Sequence, residues 1–211
     1  MAALVWQQRG MQVLGVNDPK VSPYQKCWIK QGNTCVVGII GEGTSRELQA
    51  NWNSPFESDS VGSQFQKTGG ILQSGELVEG TRGMTSITTL ASRQVWEGNQ
   101  PLAFNISLLL YALVDGKREV DDAIQALYQF ISPEVRAISP VGSNGAMGRI
   151  PSSVYVNIGR NAVYGPCVIE NISDPLDAPR YQDGYLSSSL LNITIQSEAM
   201  LNRSDVPRMF G

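Results

Sequence analysis

Few residues in this chain can do chemistry. Histidine, the commonest general base, is absent from all 211 residues. The thiols are Cys27, Cys35 and Cys167, with no Cys-x-x-Cys pair among them. No set of thiolates and carboxylates with the spacing of a zinc site can be found. Asp121 and Asp122 are adjacent carboxylates, but they fall at the start of an amphipathic segment, where the positive end of a helix dipole favours them. Gly41-Glu42-Gly43-Thr44 lacks the Gly-Lys-Ser/Thr ending of a phosphate loop. Lys117-Arg118, the one adjacent basic pair, reads as a solvated helix start. Aromatics do not interleave with bases as a single-strand-binding sheet requires. A Ser-Lys or carboxylate-pair mechanism is conceivable, yet no spacing selects one. The expectation is no enzyme, no catalytic residue, no metal and no cofactor.

Composition points the same way. Lys and Arg number 16 against 19 Asp and Glu, a net charge of −3. That excludes a dedicated nucleic-acid grip, which is normally basic, although not a surface past which nucleic acid slides. Charged residues make up 17% of the chain, below the roughly 25% of ordinary soluble domains. Either neighbours bury much of the surface, or the chain is a Gly- and Ser-rich β-protein. Three cysteines cannot all pair. Cys167 reads as a small core residue. Cys27 and Cys35 flank a hairpin, so a disulfide is conceivable, and reduced thiols are the preferred reading. The N-terminal MAALVWQQRG has no basic region and too short an apolar run for a signal peptide. The longest apolar run, Ile106 to Val114, is too short to span a membrane.

The elements that would position any site are mostly strands. Between Pro151 and Gln196 three runs alternate at period two: Val154, Val156, Ile158; Val168 and Ile172; Leu191, Ile193, Ile195. Gly159-Arg160-Asn161 and Tyr164-Gly165-Pro166 read as turns between the first two, and Ser173 to Ser189 as a protruding loop. Upstream, Val13, Leu14 and Val16 suggest a short strand. CWIK and CVVGIIG flank Gln31 to Thr34 as a hairpin, in which Gly38 marks a bulge or a close backbone approach. Arg46 to Trp52 alternates, with Leu48, Ala50 and Trp52 on one side. Thr85 to Trp96 reads as a strand, Gly98 to Pro101 as a turn, and Leu102 to Leu110 as a long strand apolar on both faces near its end. Arg118 to Ile131 is the one clear helix, with Val120, Ala123, Ile124, Leu127, Tyr128 and Ile131 in one stripe. Asp115 or Gly116 starts it and Ser132-Pro133 stops it.

Two segments stay outside this scheme. Asn53 to Gly83 is long, polar and glycine-rich, and such a loop in a compact domain is functional or disordered. Alone it cannot bury enough surface to offset an ordering cost of roughly 1–2 kcal/mol per residue. It is expected to order when a neighbour covers it, with Phe56, Phe65, Ile71 and Leu72 as anchors. Residues 201–211 read as a tail that docks on a neighbour or stays mobile. No internal repeat or linker divides the chain, so residues 1–211 read as one domain.

Three partial motifs in order, across Trp52 to Gln196, carry a resemblance. They are Trp52-Asn53-Ser54-Pro55-Phe56-Glu57 followed by Leu72-Gln73-Ser74-Gly75; Trp96, Gly98, Pro101, Ala112 and Asp115; and Asp183-Gly184-Tyr185-Leu186 before the last strand. The chain resembles the tail-tube-like proteins of contractile phage tails, nearest to the tube-initiator and baseplate-hub adaptor proteins. The resemblance implies an antiparallel two-sheet sandwich or barrel with one flanking helix, assembled as a homo-hexameric ring. It implies a structural virion protein, made in the bacterial host cytoplasm, that joins baseplate hub to tail tube and initiates tube polymerisation. Its implied partners are the tube protein, the hub and the sheath or baseplate proteins. The tape-measure protein and genomic DNA pass through the lumen, and no membrane is involved. Trp52, Pro55, Phe56, Phe65, Ile71, Leu72 and Gln73 are the implied subunit-interface residues. Many such relatives carry a further C-terminal module that this sequence does not show. First ring, second ring and tube proper therefore all stay open. The alternative is a monomeric carbohydrate- or ligand-binding β-sandwich.

Overall fold

The structure, a computed structural model, describes residues 10–53, 94–133, 150–160 and 162–209. The chain divides into two compact units, residues 1–48 with 101–211, and residues 49–100.

The first unit is a closed barrel. Its strands are β1 (Gln12–Gly15), β2 (Lys26–Gln31), β3 (Thr34–Ile40) and β4 (Ser45–Glu47). After β5 (Ala50–Asn53) and β6 (Val95–Asn99) of the other unit come β7 (Ala103–Tyr111), β8 (Val154–Ile158), β9 (Ala162–Ser173) and β10 (Ser188–Ser197). The order β3-β2-β8-β9-β10-β7 returns to β3 where Ile39 pairs with Leu109 and Ile40 with Leu108. Closure leaves none of these six strands with two open edges. β1 adds on in parallel to β3.

β4 continues β3 along β7 after an irregularity. Ile40 faces Leu108 while Ser45 faces Asn105, so four residues, Gly41–Thr44, oppose two. The excess is absorbed by hydrogen bonds. Gly41 N–H donates to the Ser107 carbonyl (2.7 Å), and Ser107 N–H donates to Thr44 Oγ1 (3.1 Å).

Alternation sets the interior. Ile29, Val36, Phe104, Ile106, Leu108, Leu110, Val154, Val156, Leu191, Ile193 and Ile195 are all buried in one cluster. Gly38 is a close approach, as expected, because a Cβ there would lie 2.6 Å from the Leu108 side chain and 3.1 Å from the Leu109 carbonyl.

Helix α1 (Asp122–Ile131) is entered through a π-turn, Lys117–Asp121. Asp115 Oδ1 accepts from the N–H of Lys117 (3.0 Å) and Arg118 (3.4 Å). Glu119 Oε2 accepts from Leu113, Val114 and Asp115 in return. This reciprocal capping satisfies donors that the first turn leaves without partners. The buried stripe is Val120, Ala123, Ile124, Ala126, Leu127 and Phe130. Tyr128 was expected in that stripe, but it is exposed and its hydroxyl donates to Asp174. The short helix α2 is Val206–Met209. Among the described residues no helix is long and apolar enough to cross a membrane.

Four further expectations are corrected. Tyr164-Gly165-Pro166 lies inside β9 and is not a turn. Glu170 is an extra residue, since Asn171 pairs with Thr194 and Ile169 with Ile195. This bulge reverses the phase of β9, so Val168 is exposed and Cys167 is buried. Arg46 to Trp52 is not one strand but β4 and β5, and Gly98 and Asn99, expected in a turn, belong to β6. At the β8–β9 link, Gly159 (φ 62°) and Arg160 (φ 60°) are both left-handed.

The second unit shows, in its described part, the antiparallel pair β5–β6. Its register sets Trp52 against Trp96 and Asn53 against Val95, with an irregularity at Asn51/Trp52.

Candidate functional site

Of the residues expected at a subunit interface, Trp52 lies in the described structure. Pro55, Phe56, Phe65, Ile71, Leu72 and Gln73 lie outside the described residues, as do the rest of Asn53 to Gly83 beyond Asn53 and the strand expected from Thr85 up to Arg93. Trp52 is 57% exposed on β5, and its cross-strand partner Trp96 is 52% exposed. Directly opposed residues in an antiparallel pair share a face, so the two indoles project from the same side of the ribbon. Trp96 Nε1 donates to Asn99 Oδ1 (3.2 Å), and Asn53 Nδ2 donates to Glu97 Oε1 (3.0 Å). Hydrogen-bonded amides thus flank two large apolar surfaces left in water, the composition of an interface anchor. Trp96 served only as a motif position in the sequence. Its place beside Trp52 depends on a register that the irregularity at Asn51/Trp52 hides.

Among the described residues, several titratable groups of the barrel are buried or engaged. Cys27 packs in the barrel interior while Cys35 packs with Val37 in a separate cluster on the outer side. All three cysteines are free and buried. Burial pushes the thiols of Cys35 and Cys167 up to about 12, and that of Cys27 higher still. Raised thiols are poor nucleophiles and poor metal ligands. Lys26 is buried, and its Nζ donates to the Asp18 carbonyl at 2.5 Å. Burial lowers its pKa, against an opposing pull from the Asp18 carboxylate. Tyr111 Oη donates to Asp18 Oδ2 (3.3 Å). Lys26, Asp18 and Tyr111 tie the segment after β1 to β2 and β7. Among the described residues no group of three His, Cys, Asp or Glu side chains could hold a metal ion.

Two clefts open at the end of the barrel where β7 begins. In one, of about 390 Å³, Arg46 Nη1 donates to Tyr164 Oη (2.9 Å), and the Tyr164 ring lies 4.5 Å from that of Phe104. The other, of about 350 Å³, is walled by Leu102, Phe104, Pro166, Cys167, Met200 and Leu201.

The outer face of β9, β10, β7 and β4 carries uncharged polar side chains in rows. Asn171, Thr194, Asn105 and Ser45 form one row, and Ser173, Asn192 and Ser107 the next. Thr194 Oγ1 donates to Asn105 Oδ1 (3.2 Å) and Ser107 Oγ to Asn192 Oδ1 (3.0 Å). Both rows are free of ionic side chains. Neither row offers a cation with which to hold a phosphate backbone.

No family model matches the chain, and no curated protein matches it.

Proposed function

We propose that this chain is a structural, ring-forming subunit of a contractile-phage tail, placed between the baseplate hub and the tail tube and seeding polymerisation of the tube. The observation that carries the reading is the pair Trp52 and Trp96, both more than half exposed on the hairpin that flanks residues 54–93. Two indoles in water are costly for a monomer and useful to an assembly. A mainly-β unit with one helix between β7 and β8 is the architecture that the resemblance implies. The neutral rows on β9, β10, β7 and β4 suit a wall past which a polyanion moves without being held. Six copies in a closed ring, with tube, hub and sheath proteins as neighbours, complete the proposal.

Negative-stain microscopy and light scattering of the purified protein, with and without a hub partner, test it. Rings or stacks are the expected outcome, and a strict monomer under all conditions refutes it. The second reading, a monomeric ligand-binding module, is favoured by the apolar cleft of about 350 Å³ beside Phe104 and Cys167. It predicts a monomer whose unfolding temperature rises on adding a small ligand.

A further inference from the structure

We propose that the barrel mouth at Arg46, Phe104 and Tyr164 binds a small monocarboxylate with an apolar body, such as an aryl carboxylate. The site lies within the barrel unit and does not depend on the assembly proposed above.

Strand register brings the donors together. Arg46 of β4 pairs with Phe104 of β7, so the two side chains share a face, and Phe104 is buried on the interior side. Arg46 therefore leans over the open end of the barrel. Its Nη1 donates to Oη of Tyr164 at 2.9 Å. Tyr164 belongs to β9, which β7 and β10 separate from β4. The bond thus crosses the mouth, and barrel mouths are a favoured place for small-molecule sites.

The hydrogen-bond count leaves donors for a ligand. Tyr164 is 7% exposed, and its Oη accepts from Arg46. Its own proton meets no acceptor among the described residues. A buried hydroxyl with an unspent proton carries a desolvation cost that an incoming acceptor would remove. The guanidinium carries five N–H donors in a planar fork, more than the bond to Tyr164 uses. That fork matches the two oxygens of a carboxylate.

The cleft selects the rest of the ligand. It holds about 390 Å³ and is lined by Thr44, Ser45, Arg46, Phe104, Ile158 and Tyr164, a volume within the usual range for small ligands. Arg46 is the one ionic side chain in that lining, so a single negative charge is balanced and a phosphate dianion is not. Phe104 and Ile158 supply apolar surface. The Thr44 hydroxyl is already held by the Gly41 carbonyl and the Ser107 N–H. Few polar groups then remain to satisfy a polyol, whereas a carboxylate on an aromatic or aliphatic body uses what is there.

The test titrates benzoate into the full chain by calorimetry, with benzyl alcohol and inorganic phosphate alongside. Benzoate should bind saturably, and the other two at least about tenfold more weakly. Arg46→Gln should weaken benzoate by at least about tenfold. Tyr164→Phe keeps the ring and Arg46→Lys keeps the charge, yet each should weaken it by at least about threefold, with an unchanged circular dichroism spectrum. These two decide the matter if Arg46→Gln fails to fold. No saturable binding of benzoate overturns the site. Equal binding of benzyl alcohol would make the cleft merely apolar, and tighter binding of phosphate would mean a different anion; either overturns the proposal. Benzoate binding untouched by the Arg46 and Tyr164 variants would place the carboxylate elsewhere and overturn it as well.

Discussion

Gly38 of β3 lies under Leu108 of β7, so close that a methyl group on Gly38 would come within 2.6 Å of the leucine side chain. The pair sits beside the seam where β3 and β7 close the barrel through Ile39–Leu109 and Ile40–Leu108. A side chain at position 38 would push apart the two strands whose contact shuts the sheet.

Gly38→Ala should therefore destabilise the fold by about 1–3 kcal/mol, the usual cost of overpacking. Leu108→Ala, which empties a fully buried site, should cost about 2–5 kcal/mol. The double variant should cost clearly less than the two together, since the new methyl takes the vacated space. Urea denaturation of the four proteins measures the coupling, and additive losses would mean that the two sites do not share that space.

The Lys26–Asp18–Tyr111 cluster makes an alkaline prediction. Burial first, and then the Asp18 charge and hydrogen bond, raise Tyr111 above its ordinary 10.0. The folded state then holds a proton that the unfolded state has lost, so stability falls as pH rises from 10 through the raised value. Lys26 is lowered from 10.5, mainly by burial. There the unfolded state holds the extra proton, so stability rises from the lowered value up to 10.5. The two oppose each other near pH 10. Tyr111→Phe should leave the rise and remove part of the fall, giving greater alkaline stability relative to its own value at pH 8. Chemical denaturation from pH 8 to 11 checks the sign, and an unchanged profile would discount Tyr111.

Cys27 and Cys35 lie in different packed clusters on opposite sides of the sheet. No disulfide should form between them in the folded protein. All three thiols are buried with raised pKa values. They should resist alkylation at pH 8 until denaturant is added. Rapid labelling of any one in native buffer would show that the barrel opens locally.

Arg160 carries a conformational cost that Gly would relieve. Left-handed backbone costs a side-chain-bearing residue roughly 1–2 kcal/mol, and the greater unfolded freedom of Gly takes back about half of that. Arg160→Gly should stabilise the single chain by about 0.5–1 kcal/mol. Thermal unfolding of the dilute protein checks it, and an unchanged or lower midpoint would mean that Arg160 carries no such cost.

Some of this was legible in the sequence and some was not, for identifiable reasons. Val154, Val156, Leu191, Ile193 and Ile195 point inward as their alternation says, because nothing interrupts those strands. In β9 the extra residue Glu170 breaks the period, and Gly165-Pro166 imitates a turn inside a strand, so Cys167 and Val168 exchange faces relative to a simple count. The helix stripe was legible at Val120, Ala123, Ile124 and Leu127. It failed at Tyr128 and Phe130, where a polar partner, Asp174, holds the tyrosine at the surface. Closure through Ile39–Leu109 is a contact between distant residues, which local pattern does not encode. Trp52 entered through the motif that carries the resemblance, whereas its pairing with Trp96 required the strand register.

That pairing supports the most direct test of the proposed assembly. Trp52 and Trp96 face each other on a two-stranded ribbon and are mostly in water. A cross-strand aromatic pair contributes only about 0.2–1 kcal/mol, so Trp52→Ala and Trp96→Ala should each lower monomer stability by no more than about 1 kcal/mol. If the indoles anchor a neighbouring subunit, each truncation should cost at least about 2 kcal/mol of association energy. That is roughly thirtyfold, because 1.4 kcal/mol is a factor of ten. Trp→Phe at either position should recover part of the loss, since an aromatic ring still fills part of the contact. Light scattering gives the association constant and denaturation of the dilute protein gives the fold stability. Large losses of fold stability with unchanged association would make the pair part of the second unit's own core.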